Sequence, residues 1–159
     1  MGSAMKPIRV GVIGCGFISG IYFQNLTKFD AVEVAACADF NPALPKAVAE
    51  KYPGIQPMTT EELLADPSID IVLNLTQPKF HNRVMKAGVA AGKHVYGEKP
   101  LSVEFDEASE LMTLATAAGV RVGCAPDTFL GAGIQTCRKV IDSGAIGEPI
   151  GATAFFTSH

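Results

Sequence analysis

The sequence predicts an α/β fold, a doubly wound parallel sheet, and three observations carry that reading. Short apolar runs alternate with stretches of helical length along most of the chain, the pattern of strand-helix-strand units joined by right-handed crossovers. The first run, Arg9 to Ile13, breaks into Gly14-Cys15-Gly16-Phe17-Ile18-Ser19-Gly20, a glycine-rich turn that opens a helix. The next run closes on an acid, Asp39, at the distance where such sheets place a carboxylate for a ribose.

The elements follow in order. A strand over Ile8 to Ile13 leads to a helix over Ile18 to Leu26, a strand over Val32 to Ala38 and a helix from Pro42 to Lys51. Proline suits a first helical turn, because its ring fixes φ and the N–H it lacks would have no partner there. Ile55 to Pro57 reads as a short third strand. Thr60-Glu61-Glu62-Leu63-Leu64 then opens a helix with acids in its first turn, where the positive end of the helix favours them. Asp66-Pro67-Ser68 ends it. Ile69 to Leu75 is almost continuously apolar, as a strand covered on both faces should be. A helix from Phe80 to Ala91 stops at Gly92, a strand runs from His94 to Gly97, and a helix from Phe105 to Ala118 stops at Gly119; glycine is the common residue just past a helix end. Val120 to Cys124 is a further strand and Gln135 to Ser143 a further helix. Ile150 to Thr157 reads as a final strand.

The glycine loop has a chemical reading. Gly14 permits the tight turn off the strand, Gly16 lets the backbone approach a pyrophosphate, and Ser19, in place of a third glycine, keeps the helix close to the sheet. Phosphate charge then meets the helix N-terminus, whose amides lack intrahelical partners. Together with Asp39 the loop forms the motif of a Rossmann NAD(P)-binding fold. A carboxylate accepts both hydroxyls of an unphosphorylated ribose and repels a 2′-phosphate. Phe40 and Asn41 follow it with no adjacent arginine, so NAD is expected and NADP disfavoured. The alternative is that Asp39 caps the helix beginning near Pro42.

Composition bounds the class. At 159 residues the chain fits one domain with a sizeable core, with residues 6–126 as the dinucleotide-binding part and 127–159 as a connecting helix and strand. A formal charge of -3 without a basic cluster leaves no electrostatic footprint for nucleic acid, and no apolar run is long enough to cross a membrane. Met1-Gly2-Ser3-Ala4-Met5-Lys6 has no apolar core like that of a secretory signal, and its second methionine reads as following a cloning remnant. A cytoplasmic location is the expectation. Cys15, Cys37, Cys124 and Cys137 lack C-x-x-C spacing and paired histidines, so reduced thiols are expected and neither zinc nor a disulfide framework. The apolar final strand would leave an unpaired edge. It is expected to pair with another chain, or the sequence to be cut short.

Four segments in succession resemble the motifs of the Gfo/Idh/MocA oxidoreductase family. They are Gly14 to Ser19, Asn74-Leu75-Thr76-Gln77-Pro78-Lys79-Phe80-His81, Glu98-Lys99-Pro100-Leu101-Ser102, and Ile141-Asp142-Ser143-Gly144-Ala145-Ile146-Gly147. The resemblance covers residues 7 to 158. It implies a cofactor domain followed by the first strand of a missing α+β substrate domain, whose glycine-rich segment leading to Asp and His has no counterpart here. It also implies hydride transfer between NAD and a secondary alcohol of a sugar or cyclitol.

Carried onto this sequence, the resemblance sets Glu98-Lys99-Pro100 beside the nicotinamide. Lys99 then binds substrate hydroxyls and assists proton transfer, and Glu98 orients the ammonium or lines the pocket. By residue type alone both are solvated loop charges. Relatives often carry a cis peptide before this proline, whereas trans is the rule for prolines in general. Thr76, Gln77 and His81 follow the central strand and so face the same crevice, Thr76 as the better contact and His81 as a cofactor-loop residue rather than an acid or base. Cys15, Phe17 and Ile18 complete the phosphate loop. Ala125-Pro126-Asp127-Thr128-Phe129 departs from the family pattern, in which many relatives place an Asn near the carboxamide; Pro126 or Asp127 replaces that contact, or Asp127 receives a substrate hydroxyl or is a plain helix cap. Two function classes follow: the cofactor half of an NAD-dependent dehydrogenase, or a nucleotide-binding module without turnover. Weak self-association through the final strand is a further expectation.

Overall fold

In the computed structural model, which describes residues 6–155 and 157, the apolar runs become six parallel strands in the order β3-β2-β1-β4-β5-β6. The strands are β1 (Ile8–Ile13), β2 (Val32–Ala38), β3 (Gln56–Met58), β4 (Ile71–Asn74), β5 (His94–Gly97) and β6 (Val122–Cys124). Helices α1 (Ser19–Leu26), α2 (Ala43–Lys51), α3 (Thr60–Ala65), α4 (Pro78–Ala90) and α5 (Phe105–Ala118) alternate with them. The chain divides into two units, one ending at Ala125 and one beginning at Pro126. The second contains a 3-10 turn, Thr128–Leu130, and α6 (Ala132–Asp142).

Strand alternation sorts the core of the first unit into two layers. Val10 and Val12 of β1 join Phe23 of α1 and, from α2, Leu44 and Val48 on one face. Ile13 joins Leu63 of α3, Met85 and Val89 of α4, and Leu111 and Ala115 of α5 on the other. β2 breaks strict alternation. Val10 pairs with Val34 but Gly11 pairs with Ala36, so one extra residue is inserted, and Ala35 and Ala36 both fall on the α3–α5 side while Cys37 returns to the α1–α2 side.

Several boundaries move for local reasons. The helix expected from Phe80 begins at Pro78, because Gln77 is extended (φ -69°, ψ 149°) and Pro78 takes the first helical turn. α3 begins with a reciprocal cap: the Glu62 amide donates to Thr59 Oγ1 at 3.1 Å and the Thr59 amide donates to Glu62 Oε2 at 2.8 Å. β3 lies one residue later than expected, and α6 starts at Ala132 rather than Gln135, behind an extended Gly131. The expected final strand is a correction. Residues 150–155 and 157 have no regular secondary structure, and Phe156 lies outside the described residues. A strand exists through its ladder of hydrogen bonds, and no strand of the described chain pairs with this segment. The Lys99–Pro100 peptide bond is cis, as the family resemblance implies and against the general rule for proline.

Candidate functional site

The strand order reverses direction between β1 and β4, and such a switch point opens a crevice outside the carboxyl ends of the strands. Every sequence-selected residue of the first unit sits on a segment leaving one of those ends. The glycine loop leaves β1. Gly14 has φ +104°, and a Cβ there would lie 2.6 Å from the Leu75 carbonyl carbon and 2.7 Å from Thr76 N. Only glycine therefore brings this loop against the exit of β4. Gly16 differs: a Cβ there would meet nothing within 4 Å, so no protein contact requires glycine at this position. Ser19 is buried, and its amide and hydroxyl both donate to Gly16 O, at 3.1 and 2.7 Å. That tie closes the loop onto α1. Ile18 precedes the helix with no side-chain cap, leaving the first-turn amides without side-chain acceptors, and Phe17 is fully exposed.

Asp39 leaves β2 and is fastened to the loop. The Cys15 amide donates to Oδ2 at 2.8 Å and the Asn41 amide to Oδ1 at 2.9 Å. The capping alternative is not what is seen, since the Ala43 amide at the head of α2 is served by Asn41 Oδ1 at 3.1 Å. Each carboxylate oxygen of Asp39 thus holds one donor and keeps a second lone-pair direction. Beside the loop runs an open groove of about 230 Å³ between α1 and α2, lined by Gly16, Phe17, Leu44 and Val48 among others.

The loops after β4 and β5 are tied together by buried side chains. Asn74 is fully buried; its Oδ1 accepts the Thr76 amide at 3.1 Å and the Thr76 hydroxyl at 2.7 Å, and its Nδ2 donates to His81 O at 3.0 Å. His81 is also fully buried, with Nδ1 2.6 Å from Pro100 O and Nε2 2.9 Å from Thr76 O. The sequence groups His81 with the cofactor loop; the structure sets its ring behind that loop, as a brace between the Thr76 and Pro100 carbonyls. Gln77 is exposed at the head of α4. Glu98 is half-buried: its amide donates to Asn74 O at 3.0 Å, Oε1 accepts the Tyr22 hydroxyl at 2.7 Å, and Oε2 accepts the Lys99 amide at 3.1 Å. Lys99 is exposed, and among the described residues its ammonium makes no ion pair.

Asp127 belongs to the second unit. It stands at the head of the 3-10 turn, where its carbonyl, and not its side chain, accepts the Leu130 amide at 2.8 Å. Cys15 and Cys37 are buried free thiols, and each donates to a backbone carbonyl, Cys15 Sγ to Ala38 O at 3.5 Å and Cys37 Sγ to Pro45 O at 3.6 Å. The neighbouring Cys37 thiol, burial and the Asp39 charge push the Cys15 thiol far above its ordinary value, so it stays protonated. Among the described residues no group of His, Cys, Asp or Glu is arranged to hold a metal, and no helix is long and apolar enough to cross a membrane. Sequence reasoning gave Asn74, quoted only as part of a motif, no role of its own, and it missed Tyr22. A polar residue closing the apolar run of β4 was the available sign for the first; Tyr22 meets Glu98 across 76 residues of sequence and had none.

A glycine loop and an acid at the ends of adjacent parallel strands, beside a topological switch, define a dinucleotide-binding domain of the Rossmann type. The family model of the Gfo/Idh/MocA oxidoreductases, described as an oxidoreductase family with an NAD-binding Rossmann fold, matches residues 8–125. The chain belongs to that family. It is 32% identical over 148 residues to a 1,5-anhydro-D-fructose reductase of Ensifer adhaerens, covering 92% of this chain and 44% of that protein. It is 28% identical over 144 residues to a myo-inositol 2-dehydrogenase of Thermotoga maritima, with coverages of 89% and 43%. The WlbA dehydrogenase of Bordetella pertussis, solved with NADH and UDP-GlcNAcA, superposes with a TM-score of 0.84 at 26% identity, over 92% of this chain and 42% of that one. The chain spans less than half the length of the curated relatives it matches.

Proposed function

We propose that this chain is the NAD-binding part of a dehydrogenase acting on a secondary alcohol of a sugar or cyclitol. The observation that carries the cofactor half is the seat of Asp39, a carboxylate pinned by the Cys15 amide to the glycine loop with lone pairs left for two ribose hydroxyls. The residues present fit the cofactor: Gly16 faces open space where a pyrophosphate needs close backbone approach, and the α1 amides beside Phe17 and Ile18 supply the positive end for its charge. Thr76 and Gln77 line the middle of the crevice. Glu98 and Lys99, beyond β5, belong to the second mononucleotide half of the fold and therefore to the nicotinamide.

When bound, NAD supplies a ring that exchanges hydride with a carbinol carbon. Lys99 would hold the substrate hydroxyl and relay its proton, and Glu98 would orient that segment. Asp127, on the second unit, is the candidate for a further polar contact, to cofactor or substrate. Residues 6–126 serve as the cofactor domain and residues 127–159 as a connection. The sugar and inositol chemistry rests on the named relatives and on the family, not on a substrate surface of this chain. Turnover is assigned to the longer arrangement that the relatives have; the 159-residue chain alone would bind cofactor without significant turnover.

The preference between cofactors tests the reading at Asp39. Calorimetric titration is expected to give NAD at least about tenfold tighter binding than NADP, about 1.4 kcal/mol, from setting a 2′-phosphate against a carboxylate. Equal affinities, or a preference for NADP, would remove the ribose role from Asp39.

A further inference from the structure

Tyr22 stands in the first turn of α1, the helix that the glycine loop opens. Its hydroxyl donates to Glu98 Oε1 at 2.7 Å, a well-formed O–H···O bond. The other carboxylate oxygen holds the Lys99 amide at 3.1 Å. One phenol therefore links the helix of the phosphate loop to the segment that carries Lys99. The ring itself packs against the Phe23 and Val12 layer, which fixes the direction from which the hydroxyl approaches.

We infer that Tyr22 is a positioning residue for the nicotinamide half of the site, acting through Glu98. The inference rests on the NAD reading above. Its physical content is orientation: a carboxylate with one oxygen held by Tyr22 and the other by the Lys99 amide has little freedom to rotate, so Glu98 presents one face to the crevice and the Lys99 backbone is set relative to α1. Without the hydroxyl, Oε1 turns to solvent. The phosphate loop itself is closed by Gly14, Ser19 and Asp39, whose bonds do not involve Tyr22. The consequence is a split between the two ends of the cofactor.

The test is a pair of titrations on the 159-residue chain, with NAD and with ADP-ribose, which keeps the adenosine, pyrophosphate and second ribose but lacks nicotinamide. Tyr22→Phe is expected to weaken NAD binding by about threefold to tenfold, the span of a typical single hydrogen bond, and to leave ADP-ribose within about twofold. In a Glu98→Ala background, Tyr22→Phe should weaken NAD no further, because its action runs through that carboxylate. Equal losses for both ligands would show a general effect on α1 and overturn the inference. So would an unchanged NAD affinity, or a full additional loss in the Glu98→Ala background. If the unaltered chain binds neither NAD nor ADP-ribose, the cofactor reading itself fails and takes the inference with it, an outcome distinct from the other three.

Discussion

Gly14 and Gly16 are two residues apart and carry opposite kinds of constraint. Gly14 has a positive φ, and its missing side chain makes room for the Leu75 carbonyl and the Thr76 amide, so it is required by the protein. Gly16 has open space where a Cβ would stand, so no protein atom around it demands glycine, and the proposed demand is that of a pyrophosphate on the loop. Gly16→Val is accordingly expected to leave thermal unfolding within about 2 °C of the parent, as for a surface change away from structural features, and to weaken NAD at least about tenfold. Unfolding scans and calorimetric titration of one preparation check both halves; a variant that binds NAD normally would place the pyrophosphate elsewhere. At this scale much of the site was legible. Gly14, Gly16 and Asp39 are readable because local chain geometry and one charge dictate them. The ring of His81 was not, because its burial depends on Pro100 O arriving from another loop. Nor was Lys93: lysine is a surface residue by type, yet this one is 5% exposed with its ammonium on the Asp66 and Ile69 carbonyls at 2.6 and 2.9 Å.

Among the elements, α3 shows how a short helix is held by its first turn. Glu62 accepts both the amide and the hydroxyl of Thr59, and these bonds hold its carboxyl below the ordinary value. A depressed carboxyl contributes stability that is present above its unfolded pKa and is lost as pH falls through the folded one. Thr59→Ala should therefore lower the melting temperature by about 2–4 °C at neutral pH. The gap between parent and variant should narrow as pH falls below the ordinary glutamate range, leaving the part due to the Glu62 amide on Thr59 Oγ1. Melting curves from neutral pH down to about pH 3, below that range, check the sign, and a gap that widens in acid would contradict it. Element type was legible wherever an apolar run was long or capped: β1, β2, β5 and α5 begin and end where the sequence places them. The extra residue in β2 was hidden, since Val34 to Ala38 is apolar whichever face each residue takes. The final strand failed for a different reason. Its apolar composition was read as pairing, and pairing needs a partner that composition does not supply.

At the scale of the molecule, the sheet order brings the loops after β1, β2, β4 and β5 to one edge, and buried polar side chains, Asn74 and His81, lock the last two together. The fold class was legible because the alternation of strand and helix, the glycine loop and the acid all point to one topology. Residue roles proposed beyond the loop depend on contacts across that topology, and in the sequence they rest on resemblance alone. The central claim is that NAD lies along this edge, adenosine ribose at Asp39, pyrophosphate at the glycine loop and nicotinamide toward Lys99. Mapping backbone amide shifts by two-dimensional NMR during an NAD titration tests it most directly. The largest changes are expected at Gly14 to Ile18, at Asp39 and Phe40, at Thr76 and Gln77, and at Glu98 and Lys99. Changes absent there and centred instead on the groove lined by Thr27, Glu33, Tyr52 and Gly54 would contradict it.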